Sequence, residues 1–220
     1  MSPLIRYPGS TVVLPPRLFG SLTYYAVLAQ YPAAVIDAAT RYNKNTKSVH
    51  RYDIVDTSGR LSLTVPVSRP SGATRWCDVA VSGHGRWWEE QPTALESAYG
   101  RTPFFEFYID RLLPLFSAPC ADSPEPITAL CARADAIIRK ILSIDTIVLA
   151  DVAHLPAGSA VTDLRRDFEA RTAAVAAAAA YRQLRPDATP GTLSVLDAIF
   201  NLGPEAALLL ASLPDAGNNL

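Results

Sequence analysis

Residues 11–38 read TVVLPPRLFGSLTYYAVLAQYPAAVIDA and carry the clearest structural pattern in the chain. Residues 11–14 (TVVL) form a short apolar run typical of a strand, and residues 17–31 show the apolar periodicity of an amphipathic helix. Pro32 ends that helix, and residues 33–38 (AAVIDA) form a second apolar run. A strand, a helix and a strand in such close succession predict a βαβ unit with parallel strands and a right-handed crossover.

A different pattern follows this unit. Residues 51–56 (RYDIVD) and 61–67 (LSLTVPV) alternate in polarity around a turn sequence, which predicts a β-hairpin. Residues 76–82 (WCDVAVS) alternate as well and are expected to pair beside it. The rest of the chain predicts helices over residues 86–99, 103–117, 127–142 and 163–182, a strand over 147–150, a loop over 151–162, a helix after Thr192 and a short helix over 205–213.

These elements predict one α/β domain over residues 1–220, with a Rossmann-like βαβ start, a β-hairpin insertion and a helical C-terminal half. Within it, residues 1–116 form the α/β part with the hairpin, and residues 117–126 (SAPCADSPEP) form a linker rich in proline and serine. Residues 127–213 are expected to be mostly helical, and residues 214–220 are expected to form a loose tail.

The composition excludes several classes of protein. Of 220 residues, 49% are hydrophobic and 19% are charged, which is enough apolar material for a sizeable core. The 20 basic and 21 acidic side chains give a net charge of −1, which argues against nonspecific binding of nucleic acid. No apolar run reaches the roughly 18 residues of a membrane span, and residues 1–10 lack the apolar core of a secretory signal. We therefore expect a cytoplasmic protein.

Residues 41–51 (RYNKNTKSVHR) form the stretch richest in chemistry, with four fixed cations and one histidine but no acid. They follow the second predicted strand, and in parallel α/β sheets ligands bind at the carboxyl ends of the strands. Lysine supplies a point charge, arginine a planar fork for phosphate or carboxylate, and serine a hydroxyl. This pattern predicts an anion-binding site made of Lys44, Lys47, Ser48 and Arg51. The alternative is a solvated basic loop.

Two further residues are candidates for proton transfer. The ordinary pKa of histidine lies near neutrality, which suits His50 to the role of general base. Asp37 follows an apolar run and therefore lies at a strand end. Asp37 has several roles open to it: orienting His50, pairing with a lysine, binding a ligand hydroxyl or capping the next turn.

Other motifs predict structure or exclude chemistry. Asp197 and Asn201 are one helical turn apart in an apolar stretch, which favours a structural hydrogen bond. The chain contains no phosphate-binding loop motif, no dinucleotide-binding glycine motif and no nucleophile elbow. His50, His84 and His154 lack the spacing of metal ligands, and the three cysteines lack the spacing of a disulfide framework or zinc site. The sequence therefore predicts neither a metal nor a cofactor.

Four stretches together resemble a known family. They are residues 14–29, which open with LPPRLFGS, residues 44–51 (KNTKSVHR) with LTVPV at 63–67, residues 94–108 (ALESAYGRTPFFEFY) and residues 193–205 (LSVLDAIFNLGPE). In this order they resemble the WbqC-like protein family, in particular the form common in Bacteroides-type bacteria. The likeness covers about residues 12–116 and 181–210.

The resemblance implies a biological setting. Members of the family occur in gene neighbourhoods for O-antigen and other surface polysaccharides, and are suspected of modifying amino sugars by aminoacyl or acyl transfer. The basic pattern K-x-x-K-S-x-H-R of the family matches here at Lys44, Lys47, Ser48, His50 and Arg51. The chain departs from the other branch of the family, because it opens with Leu-Pro-Pro where that branch has Gln-Pro-aromatic.

Two functions of different class follow. The first is a transferase acting on a nucleotide-activated or phosphate-bearing small molecule, in which Lys44, Lys47, Ser48 and Arg51 bind the anion. In this function His50 is the general base and Asp37 orients it. The second is a noncatalytic binding or scaffold protein of a polysaccharide assembly complex. The enzyme requires His50 within hydrogen-bond reach of Asp37 beside a concave pocket, whereas the scaffold does not.

Overall fold

The computed structural model describes residues 7, 9–120, 123–149, 151–155, 158 and 160–216. The strands are β1 (Ser10–Leu14), β2 (Ala33–Ile36), β3 (Arg51–Asp56), β4 (Gly59–Thr64), β5 (Val67–Ser68), β6 (Ala80–Val81), β7 (Ile147–Leu149) and β8 (Ala160–Asp163). The helices are α1 (Leu22–Ala29), α2 (Trp87–Tyr99), α3 (Phe105–Leu112), α4 (Ile127–Ile141), α5 (Phe168–Arg171), α6 (Ala173–Ala178), α7 (Val195–Leu202) and α8 (Glu205–Ser212). No helix of the described residues is long and apolar enough to cross a membrane.

A four-stranded parallel sheet forms the centre of the fold. Its order is β7-β2-β1-β8, and Val12 of β1 pairs with Ala34 on one side and with Thr162 on the other. The chain runs from β1 through α1 to β2, and β8 returns to the opposite side of β1. This arrangement confirms the predicted α/β fold and its βαβ start. It also places a crevice between the carboxyl ends of β1 and β8, where such sheets bind ligands.

The first helix is buried on every side. The Ser21 hydroxyl accepts a hydrogen bond from the backbone N–H of Tyr24, which caps the helix and sets its start at Leu22. All residues of α1 are buried, because α6, α7, α8 and the 3-10 helix Pro190–Thr192 pack against it. The prediction of an amphipathic helix over residues 17–31 is therefore wrong in two respects: the helix begins later, at Leu22, and none of its faces is exposed. Residues 17–20 instead form an irregular turn, in which Phe19 has a φ of 44°.

The segment between β2 and β7 contains the predicted β-hairpin insertion. β3 and β4 form the predicted hairpin. Its register pairs Asp56 with Gly59, so the second strand, expected over 61–67, begins two residues earlier and ends at Thr64. The strand expected over residues 76–82 is shorter: Trp76–Asp78 is a 3-10 helix, and β6 pairs with β5 rather than with the hairpin. The other helices of this segment, α2, α3 and α4, lie close to their predicted positions.

The C-terminal half contains the largest differences from the sequence prediction. The loop expected over residues 151–162 ends in a strand, because β8 pairs with β1 in the central sheet. The helix expected over residues 163–182 is divided into α5 and α6 and ends at Ala178. The strand expected over 147–150 is present as β7, and residue 150 lies outside the described residues. Residues 121–122 of the expected linker and 217–220 of the expected tail also lie outside them.

Asp197 is the centre of a buried hydrogen-bond network. Its carboxylate accepts from the hydroxyl of Tyr99 at 2.8 Å, the hydroxyl of Tyr181 at 2.7 Å and the amide of Gln183 at 2.8 Å. The amide of Asn201 donates to the backbone carbonyl of Asp197 at 2.8 Å. These bonds join α2, α7 and the segment after α6, which confirms the structural interpretation of Asp197 and Asn201.

Candidate functional site

Three adjoining cavities lie along the carboxyl edge of the parallel sheet. The hairpin cavity, of about 290 Å³, has walls from β3, β4 and the segment after β1. The loop cavity, of about 800 Å³, has walls from residues 40–49 and from the segment after β8. The edge cavity, of about 560 Å³, lies beyond the ends of β2 and β8. Neighbouring cavities share side chains, so we treat the three as one cleft.

Arg17 lies where the hairpin and loop cavities meet. It lies three residues after the end of β1 and is only 8% exposed. Its guanidinium lies 4.6 Å from the centre of the Phe168 ring, and its Nη2 donates to Glu169 Oε1 at 2.6 Å. Its Nε is buried and has no hydrogen-bond partner. Arg17, Phe168 and Glu169 line both cavities together with Ser48.

Glu169 is the exposed member of this ion pair. Its side chain is 70% exposed, although it bonds to an almost buried guanidinium. Partial burial acts to raise the pKa of Glu169, but the charge and hydrogen bond of Arg17 outweigh it and lower that pKa. Glu169 is therefore ionised at neutral pH.

The four predicted anion-binding residues lie on the walls of the cleft. Lys44 lines the loop cavity, Lys47 and Arg51 line the hairpin cavity, and Ser48 lines both. Both lysines are exposed, and Lys47 and Ser48 belong to a 3-10 helix that ends the basic loop. The Nε of Arg51 donates to Thr64 Oγ1 across the hairpin, which holds the guanidinium at the cavity. The structure thus brings these four side chains to one cleft.

His50 lies outside the cleft. It is 8% exposed, its Nδ1 hydrogen-bonds the backbone carbonyl of Val65 at 2.9 Å, and its ring lies 5.9 Å from Trp76. Burial lowers the pKa of His50, while the bond to Val65 acts in the opposite direction. Among the residues that the structure describes, those lining the three cavities do not include His50.

Asp37 has partners other than His50. Its carboxylate accepts from Arg165 Nη1 at 2.7 Å and from the backbone N–H of Ala39 at 3.0 Å, and it lines the edge cavity. No hydrogen bond joins Asp37 to His50 within the described part of the chain. Each side chain is bonded elsewhere, His50 to the carbonyl of Val65 and Asp37 to Arg165.

Basic side chains dominate the loop and edge cavities. Arg17 and Arg165 each pair with an acid, whereas Arg41, Lys44 and Arg166 have no acid partner among the residues described. The whole chain has a net charge of −1, so this cleft is a local concentration of positive charge.

The hairpin cavity also contains a carboxylate from β3. Asp53 Oδ1 accepts from the hydroxyl of Ser62 at 2.5 Å, and Asp53 Oδ2 lies 3.8 Å from Arg60 Nη1. Arg60 also bonds Asp187 Oδ1 at 2.7 Å, which fixes the segment after α6 to the hairpin. Cations, the carboxylates of Asp53 and Glu169 and the apolar ring of Phe168 therefore line one small cavity.

Sequence reasoning missed three of these residues. Arg17 lies just past a predicted strand, so the rule that selected the basic loop also applies to it. Asp53 alternates within a strand like any surface residue, and Glu169 lies in a stretch with no local pattern of a site. The described residues contain no group of three or more histidine, cysteine, aspartate and glutamate side chains that could hold a metal ion.

Comparison with known proteins addresses the identity of the chain. Neither a curated protein nor a solved structure matches it. The model of the WbqC-like protein family matches residues 16–173. The matched stretch contains Arg17, the basic loop, the hairpin and Glu169, and it ends before the α7 stretch that also carried the sequence resemblance. Because the match covers well over half of the 220 residues, the chain belongs to the WbqC-like protein family.

Proposed function

We propose that the chain is a transferase whose cleft binds a nucleotide-activated or phosphate-bearing small molecule. The observation that carries the proposal is the set of basic side chains without acid partners at the crevice between β1 and β8. The oxygens of a phosphate can bind several such side chains at once, and a crevice at this edge is the usual ligand site of a doubly wound sheet.

The anion is held by the residues that the sequence predicted, with help from the neighbouring strands. Lys44 and Lys47 provide exposed point charges, Ser48 provides a hydroxyl and Arg51 provides a planar fork. Arg17 lies between the two cavities, so a phosphate near it contacts both walls.

Group transfer also needs an acceptor for the proton of the attacking amine or hydroxyl. We assign this role to Asp53 in place of His50, because Asp53 lines the hairpin cavity and its carboxylate is held by Ser62. The nucleophile forms a bond to the transferred acyl or aminoacyl group, its proton passes to Asp53, and the phosphate-bearing carrier leaves with the electron pair of the broken bond. The family resemblance favours an amino sugar of surface polysaccharide biosynthesis as the acceptor.

One observation favours the second function, a noncatalytic binding or scaffold protein. His50, the histidine in the family pattern, is buried and bonded to a backbone carbonyl. In that case the cleft binds an anionic ligand without turning it over, and Asp53 is a structural residue of the hairpin.

A thermal-shift screen tests ligand binding. It uses nucleotide sugars, coenzyme A thioesters, aminoacyl adenylate analogues and inorganic phosphate on the wild type and on Lys44→Ala/Lys47→Ala. Lys140→Ala is the matched control, because Lys140 is an exposed lysine on α4 away from the cleft. A ligand at about 100 times its Kd stabilises the fold by about 2.7 kcal/mol, which raises Tm by roughly 5–11 °C in a chain of this size.

The outcomes separate the functions. A shift that the double variant loses and Lys140→Ala keeps supports the cleft and identifies the donor class. If no compound shifts the Tm of the wild type, the anion-binding proposal is wrong. With a donor identified, Asp53→Asn is expected to retain binding and lose turnover, whereas a wild type that binds the donor and transfers nothing to any amine or hydroxyl acceptor supports the scaffold.

A further inference from the structure

We infer that Glu169 competes with the phosphate of the ligand for Arg17, so that binding exchanges one anion for the other at the guanidinium. The inference rests on the proposed function, from which it takes a phosphate-bearing ligand. It adds a specificity-determining pair that lies outside the basic loop.

The carboxylate of Glu169 satisfies only part of the hydrogen-bonding capacity of the Arg17 guanidinium. Nε and Nη2 form one edge of a guanidinium and point in the same direction, which allows them to bind two oxygens of one oxyanion. Glu169 accepts from Nη2 only, and Nε is left buried without a partner. A buried donor without an acceptor is unfavourable, so a ligand that satisfies both nitrogens gains an interaction that Glu169 does not make.

The two side chains differ in their freedom to move. Arg17 is 8% exposed, with its guanidinium against the rings of Phe168 at 4.6 Å and Tyr24 at 5.7 Å. The side chain of Glu169 is 70% exposed and projects from the single turn of α5. The carboxylate can therefore rotate into solvent while the guanidinium keeps its position, which is what an exchange of anions requires.

The exchange predicts selectivity for the ligand. A phosphate group carries up to two negative charges and offers three oxygens, so it displaces the single charge of Glu169. A monocarboxylate offers no more charge than Glu169 already supplies. Because Arg17 lines both the hairpin and loop cavities, the bound phosphate lies at their junction and the rest of the ligand extends into both.

Isothermal titration of the full chain with inorganic phosphate and pyrophosphate, at fixed ionic strength, tests the inference. Glu169→Gln removes the competing charge and is expected to bind either anion about fivefold more tightly than the wild type. Arg17→Lys keeps the charge but loses the two-nitrogen edge, and is expected to bind at least about tenfold more weakly. Glu89→Gln is the matched control, because Glu89 in the first turn of α2 also pairs with an arginine, Arg86, and neither residue lines the cleft.

The possible results of the titrations distinguish failure of the anion exchange from failure of the proposed function. Tighter binding by Glu169→Gln, with no change in Glu89→Gln, supports the exchange. If the wild type binds pyrophosphate, Lys44→Ala/Lys47→Ala loses it and Glu169→Gln binds no tighter, the inference fails and the proposed function stands. If neither the wild type nor Glu169→Gln binds either anion, both fail. Circular dichroism checks the fold of each variant, and Glu169→Gln alone decides the question should Arg17→Lys not fold.

Discussion

Replacing Asp197 by alanine is expected to destabilise the fold strongly. Asp197 is 1% exposed and accepts side-chain hydrogen bonds from Tyr99, Tyr181 and Gln183. Burial raises the pKa of Asp197, and the bonds from its three donors act against that rise. The substitution removes the common acceptor of all three donors.

The magnitude follows from what each donor can do afterwards. The hydroxyl of Tyr99 is buried and remains without its acceptor, which costs about 1–3 kcal/mol. Tyr181 and Gln183 are partly exposed and can bind water, but each loses a bond to a carboxylate, worth roughly 1.5–3 kcal/mol net. Relief from burying a charge offsets several kcal/mol of this total. We therefore expect a loss of about 3 kcal/mol, or a fall in Tm of roughly 6–12 °C.

Urea unfolding followed by tryptophan fluorescence measures the loss. Asp145→Ala is the matched control, because Asp145 is an exposed aspartate with no ion pair among the described residues, and its replacement should change stability by less than about 0.5 kcal/mol. A double-mutant cycle with Tyr99→Phe should show non-additive losses, since the two side chains share one bond. A loss below about 1 kcal/mol for Asp197→Ala, or additive losses in the cycle, would refute the reasoning.

Two further outcomes are expected. Burial lowers the pKa of His50 below its ordinary value of about 6.5, so the unfolded chain binds a proton more readily and the free energy of unfolding falls as the pH falls below that value. Urea unfolding at several pH values should show a smaller fall for His50→Gln than for the wild type, and equal pH profiles would contradict this. A Cβ on Gly191 would overlap the backbone carbonyl of Ala176 at the wall of the hairpin cavity, so Gly191→Ala should cost about 1–3 kcal/mol of stability. Gly83 faces open space, so the control Gly83→Ala should leave Tm unchanged. Equal Tm values for the two glycine variants would disprove the close approach.

The local elements were predictable because their patterns lie within short stretches of chain. The two apolar runs around α1 predicted the parallel pair β1 and β2, and the alternating runs 51–56 and 61–67 with the turn residues between them predicted the hairpin. The basic loop was predictable for the same reason. Its four anion-binding candidates lie within eight residues of each other, and one loop carries them all to the cleft.

The partners of individual side chains were not predictable in this way. His50 and Asp37 are close in sequence and chemically suited to each other, yet Val65 and Arg165 bind them instead. A backbone carbonyl has no side-chain signature, and Arg165 follows β8, whose approach to β1 depends on the whole sheet. Chemical compatibility at short sequence distance therefore did not predict a contact.

The sequence alone determines the class of the fold, the βαβ start, the hairpin and the positive loop, because strand and helix periodicities and turn residues act over a few positions. Only the tertiary structure brings together the residues at which the hairpin cavity and the loop cavity meet. Arg17 and Glu169 are 152 residues apart, and they meet because β8 pairs with β1 and delivers α5 to the carboxyl end of the sheet. Pairing between distant strands depends on burial and hydrogen bonding over the whole domain, which no short stretch of sequence contains.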